Sequence, residues 1–535
     1  MPPAADLLFV NARCFTADPQ LPSAQAVAVR GNRIVFVGDD ATARSWHGPR
    51  TRVIDARGRT VMPGFIDSHF HLLHGSLGLG DAQLGGVRQV EALRESLQAF
   101  AGEHPDRPWL VGYGLQYKIR SDGLMLTRHD LDAIISDRPL IVFAYDLHTA
   151  WANTEALRRA NLLEDGQLVG PNSEIVIGPD GLANGELRER GAYDPILALI
   201  PEATDAEKRS LLRKGLRQAA ELGVTSVHNM NGDAGEMTLY AAMEDLGEMM
   251  LRVYAPYSVT PGTPPEALAE AAELRNRFRS DVVRAGSVKF FMDGVIESYT
   301  GFLLGDYAGR PGVRGDANFS AEHFNRMAIE ADRLGLQILV HAVGDAAVRR
   351  ALDGFEAAQT SNGRRDSRHR VEHIELIHPD DVSRFAQLGV IASMQPLHAP
   401  PYDGSDVWPD RVGPERWDRS FAWQTLRQAG ARLVFGSDWP VVTQNPLQGA
   451  HRALTRAPWC AGGLEHRQIL AEALIAYTRD AAYAEFQEHL KGQLRAGMLA
   501  DVVMLSEDIF KTPPAELDRV CPVLTMCDGR AIYEA

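Results

Sequence analysis

Short apolar runs alternate with stretches of helical periodicity from residue 61 to residue 439, and this alternation restricts the chain to a parallel sheet covered by helices. The runs are VMPGFIDSHFH (61–71), VTSVHN (224–229), RVYAPYS (252–258), VKFFMDG (288–294), ILVHAVG (338–344), RVEHIEL (370–376), VIASMQP (390–396) and LVFGSDW (433–439). Between them, DAEKRSLLRKGLRQAAELG (205–223) and SAEHFNRMAIEADRLG (320–335) space their apolar residues as helices do. Eight such units predict an α/β fold of the (β/α)8, TIM-barrel type over residues 61–489.

Residues 77–222 are too long for a βα loop and predict an inserted subdomain after the first barrel strand, packed over one barrel mouth. WLVGYGLQY (109–117) and PLIVFAYDLHTAWANTEAL (139–157) give it strand-like, then helix-like segments. The first sixty residues and the last forty or so share short alternating strands, such as AVAVRG (26–31) and LADVVMLSE (499–507). Neither end has enough strands for a stable sheet. Residues 1–60 and 490–535 are therefore expected to combine into one small β-sandwich domain.

With 55 Lys plus Arg against 70 Asp plus Glu, the chain carries a formal charge of −15, which disfavours nucleic acid and anionic membrane surfaces as partners. No apolar run approaches the roughly 20 residues that span a bilayer, and Asp6 sits where a signal peptide would carry basic residues. The four cysteines form neither a zinc-type pair nor a disulfide framework. A cytoplasmic protein acting on a small molecule is expected, with homo-oligomerisation left open.

The chemistry sits at the strand ends. His69 and His71, two apart in DSHFH, place two imidazoles on one face at the mouth where barrel enzymes build their sites. An isolated HxH is more often a structural pair than a ligand pair. Here His341, His373 and Asp438 end three further strands, and four imidazoles with one carboxylate match the ligand set of zinc and similar divalent ions. Lys289, in VKFFMDG, puts an ammonium group on an apolar strand where desolvation is costly. It either pairs with a carboxylate such as Asp293 or reacts with carbon dioxide, giving a carbamate whose two oxygens can bridge two ions.

This set, with PGFIDSHFHLL, DLHTAWANTEAL, VKFFMDGVIES, HAVGDAAV and FGSDWPV, resembles the amidohydrolase superfamily and its YtcJ-like branch, which includes N-substituted formamide deformylases. The flanking AVAVRGNRIVFVG and GQLRAGMLADVVMLSED are similar to the split β-sandwich of those enzymes. The resemblance implies that His69 and His71 hold one ion with Asp438 nearby, that His341 and His373 hold a second, and that carbamylated Lys289 bridges them. It implies zinc, one ion or two, and attack of a metal-bound hydroxide on a carbonyl or imine carbon, with Asp438 moving the proton to the leaving nitrogen. The expected activity is hydrolysis of a C–N bond in a small amide, N-substituted formamide, carbamate or cyclic amide. The alternatives are an ester or lactone hydrolase on the same site and an inactive metal-binding barrel with a regulatory role.

The loop DGVIESYTGFLLGDY departs from the Gly-Ser-Arg type common in that branch and makes Glu297 and Tyr299 candidate substrate contacts. His148 and Trp151 in DLHTAWAN resemble a motif lying over the active site, although Trp151 reads equally well as core. His228 is either a pocket residue or a packed structural histidine, and His74 either orients a ligand or lies in a solvated loop. His398 and Trp408, in the Pro-rich LHAPPYDGSDVWPD, are expected in a lid, with His398 a candidate substrate contact.

Overall fold

A computed structural model of the chain describes residues 4–164, 173–401 and 407–535. Eight strands lie side by side in chain order: β1 (Phe65–Phe70), β2 (Val224–Asn229), β3 (Arg252–Ser258), β4 (Val283–Phe291), β5 (Gln337–Ala342), β6 (Arg370–His373), β7 (Ile391–Met394) and β8 (Arg432–Phe435). Every neighbouring pair is parallel. β8 returns to β1 through a parallel bridge between Trp439 and Phe70. The Asp438 N–H donates to the His69 carbonyl at 2.7 Å and the His71 N–H to the Trp439 carbonyl at 2.9 Å, so the sheet is nearly closed.

Period-2 alternation sorts the side chains of these strands. Val288 and Phe290 of β4, Ile338 and Val340 of β5 and Val371 of β6 join the apolar layer shared with the helices. Arg370 and Glu372 of β6 point the other way, and Arg370 reaches His228 of β2 across the barrel interior. The helices begin where local chemistry satisfies their free amides. Before β2, Thr204 caps the helix Asp205–Glu221 and Glu207 accepts from the Thr204 N–H at 2.7 Å; Gly223, at φ 82°, then turns the chain into β2.

The run 61–71 divides at Pro63-Gly64. Thr60–Pro63 pairs antiparallel with Val502–Leu505 in a six-stranded sheet, and only Phe65–Phe70 enters the barrel. That sheet also holds Arg13–Phe15 and Ser23–Ala24 from the start of the chain, and Pro522–Cys527 and Arg530–Glu534 from its end. A four-stranded sheet of Arg33–Gly38, Ala26–Arg30, Leu7–Val10 and Arg52–Asp55 shares a core with it through Phe9, Val27, Val61, Val502 and Leu524. Within 77–222 a separate mixed sheet runs through Leu110–Leu115, Leu140–Ala144, Thr149–Ala152 and Ala183–Arg188, with apolar cores on both faces.

A column of buried charge fills the barrel below its mouth. Glu485 lies 2.6 Å from Lys491 Nζ and 3.2 Å from His228 Nε2, all three nearly or fully buried. This corrects the reading of His228 as a pocket residue: alternation sets its inward direction but not its height, and it sits in a deeper layer, bonded to Arg370 at 2.8 Å. Removing one partner of a buried pair strands the other, so Glu485→Gln should lower stability by about 3–5 kcal/mol in chemical denaturation. Burial acts to raise the Glu485 pKa, but Lys491, His228 and Arg284 outweigh it and bring it from 4.5 down to about 2. Its contribution is therefore complete above pH 4.5 and is lost as the pH falls toward 2, and the difference between wild type and Glu485→Gln should narrow across that window.

Candidate metal centre

Three of the six residues expected as ligands, His69, His71 and His373, meet around the carboxylate of a fourth, Asp438. Asp438 Oδ1 lies 2.9 Å from His71 Nε2 and 3.3 Å from His69 Nε2. Oδ2 lies 3.9 Å from His373 Nδ1 and 3.7 Å from His398 Nε2. Two donor groups result, His69–His71–Asp438 and His373–His398–Asp438, each with its donor atoms within 4.8 Å of one another. His341 packs its ring 4.4 Å from that of His373. It donates Nε2–H to the Gly294 carbonyl at 3.1 Å, which leaves Nδ1 as its lone-pair nitrogen when the ring is neutral.

Lys289 points into the same space. It is fully buried, its ammonium has no hydrogen-bond partner among the described residues, and it lies 4.3 Å from the centre of the Phe291 ring. The salt bridge to Asp293 is not made: the Asp293 carboxylate accepts instead from the backbone amides of Phe302, Val343 and Gly344 at 2.8, 3.0 and 2.9 Å. Burial first, then the charge of Arg370, brings the Lys289 pKa down to about 8 against the pull of Glu372 and Asp438. Burial, reinforced by the neighbouring positive charges, likewise holds His69, His341 and His373 well below 6.5, so these rings are neutral. Burial acts to raise Asp438, yet the hydrogen bond from His71 and the charges of His71, His398 and Lys289 keep it below the usual carboxylate range.

The donor set fits a divalent ion. Buried polar atoms are nearly always paired, yet among the described residues both nitrogens of His373, Nε2 of His398 and Nζ of Lys289 have no hydrogen-bond partner. Such atoms, converging from β4, β6 and the turn after β7 on Asp438, are what a cation would satisfy. The backbone is bent to bring them there: His373 and Asp438 adopt φ values of 73° and 62°, a region costly for residues other than glycine.

Several supporting residues escaped the sequence reading. Asp67, two before the HxH, accepts from the His69 and Ser437 amides at 3.1 and 2.9 Å and ties the end of β1 to the loop after β8; a carboxylate inside an apolar strand was its signal. Asn231 accepts from His71 Nδ1 and fixes that ring. Glu375 accepts from Trp408 Nε1 at 2.6 Å and meets His398 Nδ1 at 3.4 Å. His398 thus belongs to the donor cluster as well as to the loop where a lid was expected, and residues 402–406 of that loop lie outside the described residues.

Around the cluster opens a cavity of about 780 Å³ lined by residues of the barrel mouth and of the sheet region within 77–222, including Tyr113, Phe143, His148, Glu189, Glu297 and His74. Glu189, at φ 63°, accepts from His148 Nδ1 at 2.8 Å and from Ser298 Oγ at 3.1 Å, joining the insertion to the loop after β4. Burial opposes protonation of His148, but Glu189 and Asp146 carry its pKa up to about 9. Glu297 accepts from the Tyr145 hydroxyl at 3.2 Å. Two expected substrate contacts fall elsewhere. Trp151 is fully buried against Tyr117 in the core of the insertion. Tyr299 does not line the cavity and is held between the guanidinium groups of Arg310 and Arg411, 3.8 and 4.2 Å from its ring centre.

A buried histidine–carboxylate cluster at the C-terminal mouth of a parallel eight-stranded barrel defines the metal-dependent hydrolase class. Residues 52–533 match the model of the amidohydrolase family, and the chain belongs to that family. It is similar to the putative amidohydrolase YtcJ of Bacillus subtilis (strain 168), 27% identical over 525 residues that cover 95% of this chain and 96% of the other. The N-substituted formamide deformylase of Arthrobacter pascens is 25% identical over 546 residues, covering 99% and 98% of the two chains. Among solved structures, an uncharacterized metal-dependent hydrolase from Pyrococcus furiosus is 27% identical with a TM-score of 0.72, covering 95% of this chain and 99% of that one. No helix among the described residues is long and apolar enough to cross a membrane.

The seam between β1 and β8 leaves no room for a side chain at Gly436, where a Cβ would lie 2.4 Å from the His69 nitrogen. Gly436→Ala should therefore cost about 1–3 kcal/mol in thermal or chemical unfolding and reduce turnover by displacing His69 from Asp438. Gly86→Ala, with open space around its Cβ, should stay within about 0.5 kcal/mol of wild type.

Proposed function

We propose that the chain hydrolyses a C–N bond of a small amide, N-substituted formamide, carbamate or cyclic amide. The observation that carries this reading is the convergence of unpartnered buried donors on Asp438 at the base of the cavity. In this reading His69, His71, His341, His373 and Asp438 hold one or two divalent ions, zinc being the first candidate for a nitrogen and oxygen donor set. Lys289 joins them as a carbamate. Its neutral amine adds to carbon dioxide, forming an N–C bond and releasing one proton, which removes the buried positive charge and supplies two oxygens. The lack of a hydrogen-bond partner for its Nζ among the described residues supports that step.

When bound, the ion supplies a Lewis acid that polarises the substrate carbonyl and makes water a stronger nucleophile near neutral pH. The protein's own groups do the rest. Asp438, with Oδ1 engaged by His71, offers Oδ2 to take a proton from the attacking water and deliver it to the departing nitrogen, which leaves only when protonated. His148, anchored by Glu189, and His398, anchored by Glu375, fix polar ends of the substrate. Tyr113, Phe143 and Tyr193 form an aromatic wall that seats its apolar part and excludes water. The relative named as an N-substituted formamide deformylase supports the formamide branch of this substrate class. We also read the two terminal sheets as one β-sandwich domain, a reading supported by their shared core.

Protein purified without chelators should carry about one or two equivalents of a divalent ion by elemental analysis. Chelation should abolish hydrolysis of a panel of formamides and cyclic amides, and metal should restore it. Asp438→Asn should lower kcat by about 10²–10⁴-fold, and Lys289→Ala should lower both metal content and kcat. Less than a tenth of an equivalent of metal, with turnover insensitive to chelation, would overturn the reading.

A further inference from the structure

One buried carboxylate beside the cluster is left without a role by the reaction above. Glu372 of β6 is fully buried and precedes His373, yet its side chain turns toward β1. Its Oε2 lies 2.8 Å from His69 Nδ1. We propose that Glu372, clamped by Arg370, is the positioning residue for His69. It holds the ring so that Nδ1 carries the proton and Nε2, the nitrogen beside Asp438, is presented as a lone pair to the cation. The inference rests on the metal-centre reading and deepens it.

Three observations carry the assignment. A carboxylate can only accept, so a neutral His69 meeting Glu372 must donate from Nδ1, which fixes the tautomer. Glu372 is itself immobilised: Arg370 Nε lies 2.9 Å from Oε1, and Nη2 donates to Oε2 at 3.1 Å. Arg370, fully buried, is fastened in turn by the Ser68 carbonyl, by Ser393 Oγ at 2.9 Å and by His228 Nδ1 at 2.8 Å. Since a guanidinium only donates, His228 must accept at Nδ1 and keep its proton on Nε2, 3.2 Å from Glu485. Every proton position from His69 to Glu485 is thereby set by residue type alone.

The same clamp accounts for the freedom of Lys289. Glu372 and Lys289 lie close enough for their charges to interact, and a buried ammonium would normally capture such a carboxylate. With one oxygen shared between His69 and Arg370 and the other facing Arg370, Glu372 is committed elsewhere, and the lysine amine stays unpaired. Arg370 thus also keeps Glu372 from quenching Lys289.

The test is the affinity of metal-stripped protein for Co²⁺ alone, measured by competition with a chelator and by the visible absorption of the bound ion. Glu372→Gln keeps every proposed ligand and the size of the side chain. Loss of a carboxylate that orients a ligating histidine should weaken Co²⁺ binding by about 10–100-fold and alter the absorption band. Because Glu372→Gln strands the Arg370 charge, the double variant Glu372→Gln with Arg370→Met removes both partners together and avoids a buried unpaired charge; it should show the same loss. Co²⁺ affinity within twofold of wild type and an unchanged spectrum in either folded variant would overturn the positioning role. Failure of the wild-type protein itself to bind Co²⁺ would instead contradict the metal centre on which the inference rests.

Discussion

The structure depends on a cost: the mouth of the barrel buries imidazole and ammonium groups whose nitrogens have no hydrogen-bond partner among the described residues. An unsatisfied buried polar group costs about 1–3 kcal/mol, and more when charged. His373, His398 and Lys289 contribute such atoms around Asp438. In the proposed reading a cation would satisfy His373 and Lys289, the latter as a carbamate, and a bound substrate His398. The positive φ values of His373 and Asp438 point the same way, since strained backbone persists where surrounding structure and function hold it.

The rest of the architecture holds that cluster rigid. The seam of β1 and β8 brings the HxH pair against Asp438 by backbone hydrogen bonds, a bare glycine and the Asp67 clamp. Beneath it, the charged side chains of Glu372, Arg370, Glu485 and Lys491, joined through the neutral His228 ring, fill the barrel interior where apolar layers are more usual. Residues 113–197 supply another wall of the cavity, and Glu189 among them is bonded to Ser298 in the loop after β4. Chemistry at the mouth is thus framed by a fixed seam, an ionic column and an aromatic wall.

Much of this was legible in the residues. Parallel strands buried on both faces read as near-continuous apolar runs, so each barrel strand was placed within a few residues, and a polar residue ending such a run marked His69, His341, His373 and Asp438. What sequence period conveys is direction, not depth. His228 and Lys289 both point inward, but one sits in the ionic column and the other faces the cluster. Trp151 and Tyr299 were drawn toward the pocket by neighbouring motif residues, and packing placed both outside it. His398 sits in a short 3-10 turn, where no strand register could align it with the ligands. Glu372 was hidden by its neighbour: His373 explained the motif, and nothing in the alternation showed that the preceding carboxylate crosses to His69.

The central claim is that the atoms left unpaired around Asp438 are ligands. X-ray diffraction from crystals of the as-purified protein, collected on both sides of the zinc absorption edge, tests it most directly. The account predicts an anomalous peak within bonding distance of Asp438 and the surrounding histidine nitrogens, with density extending from Lys289 Nζ toward it. Well-ordered water at that position, with no anomalous signal at the edge of zinc or any other transition metal and an unmodified Lys289, would contradict it.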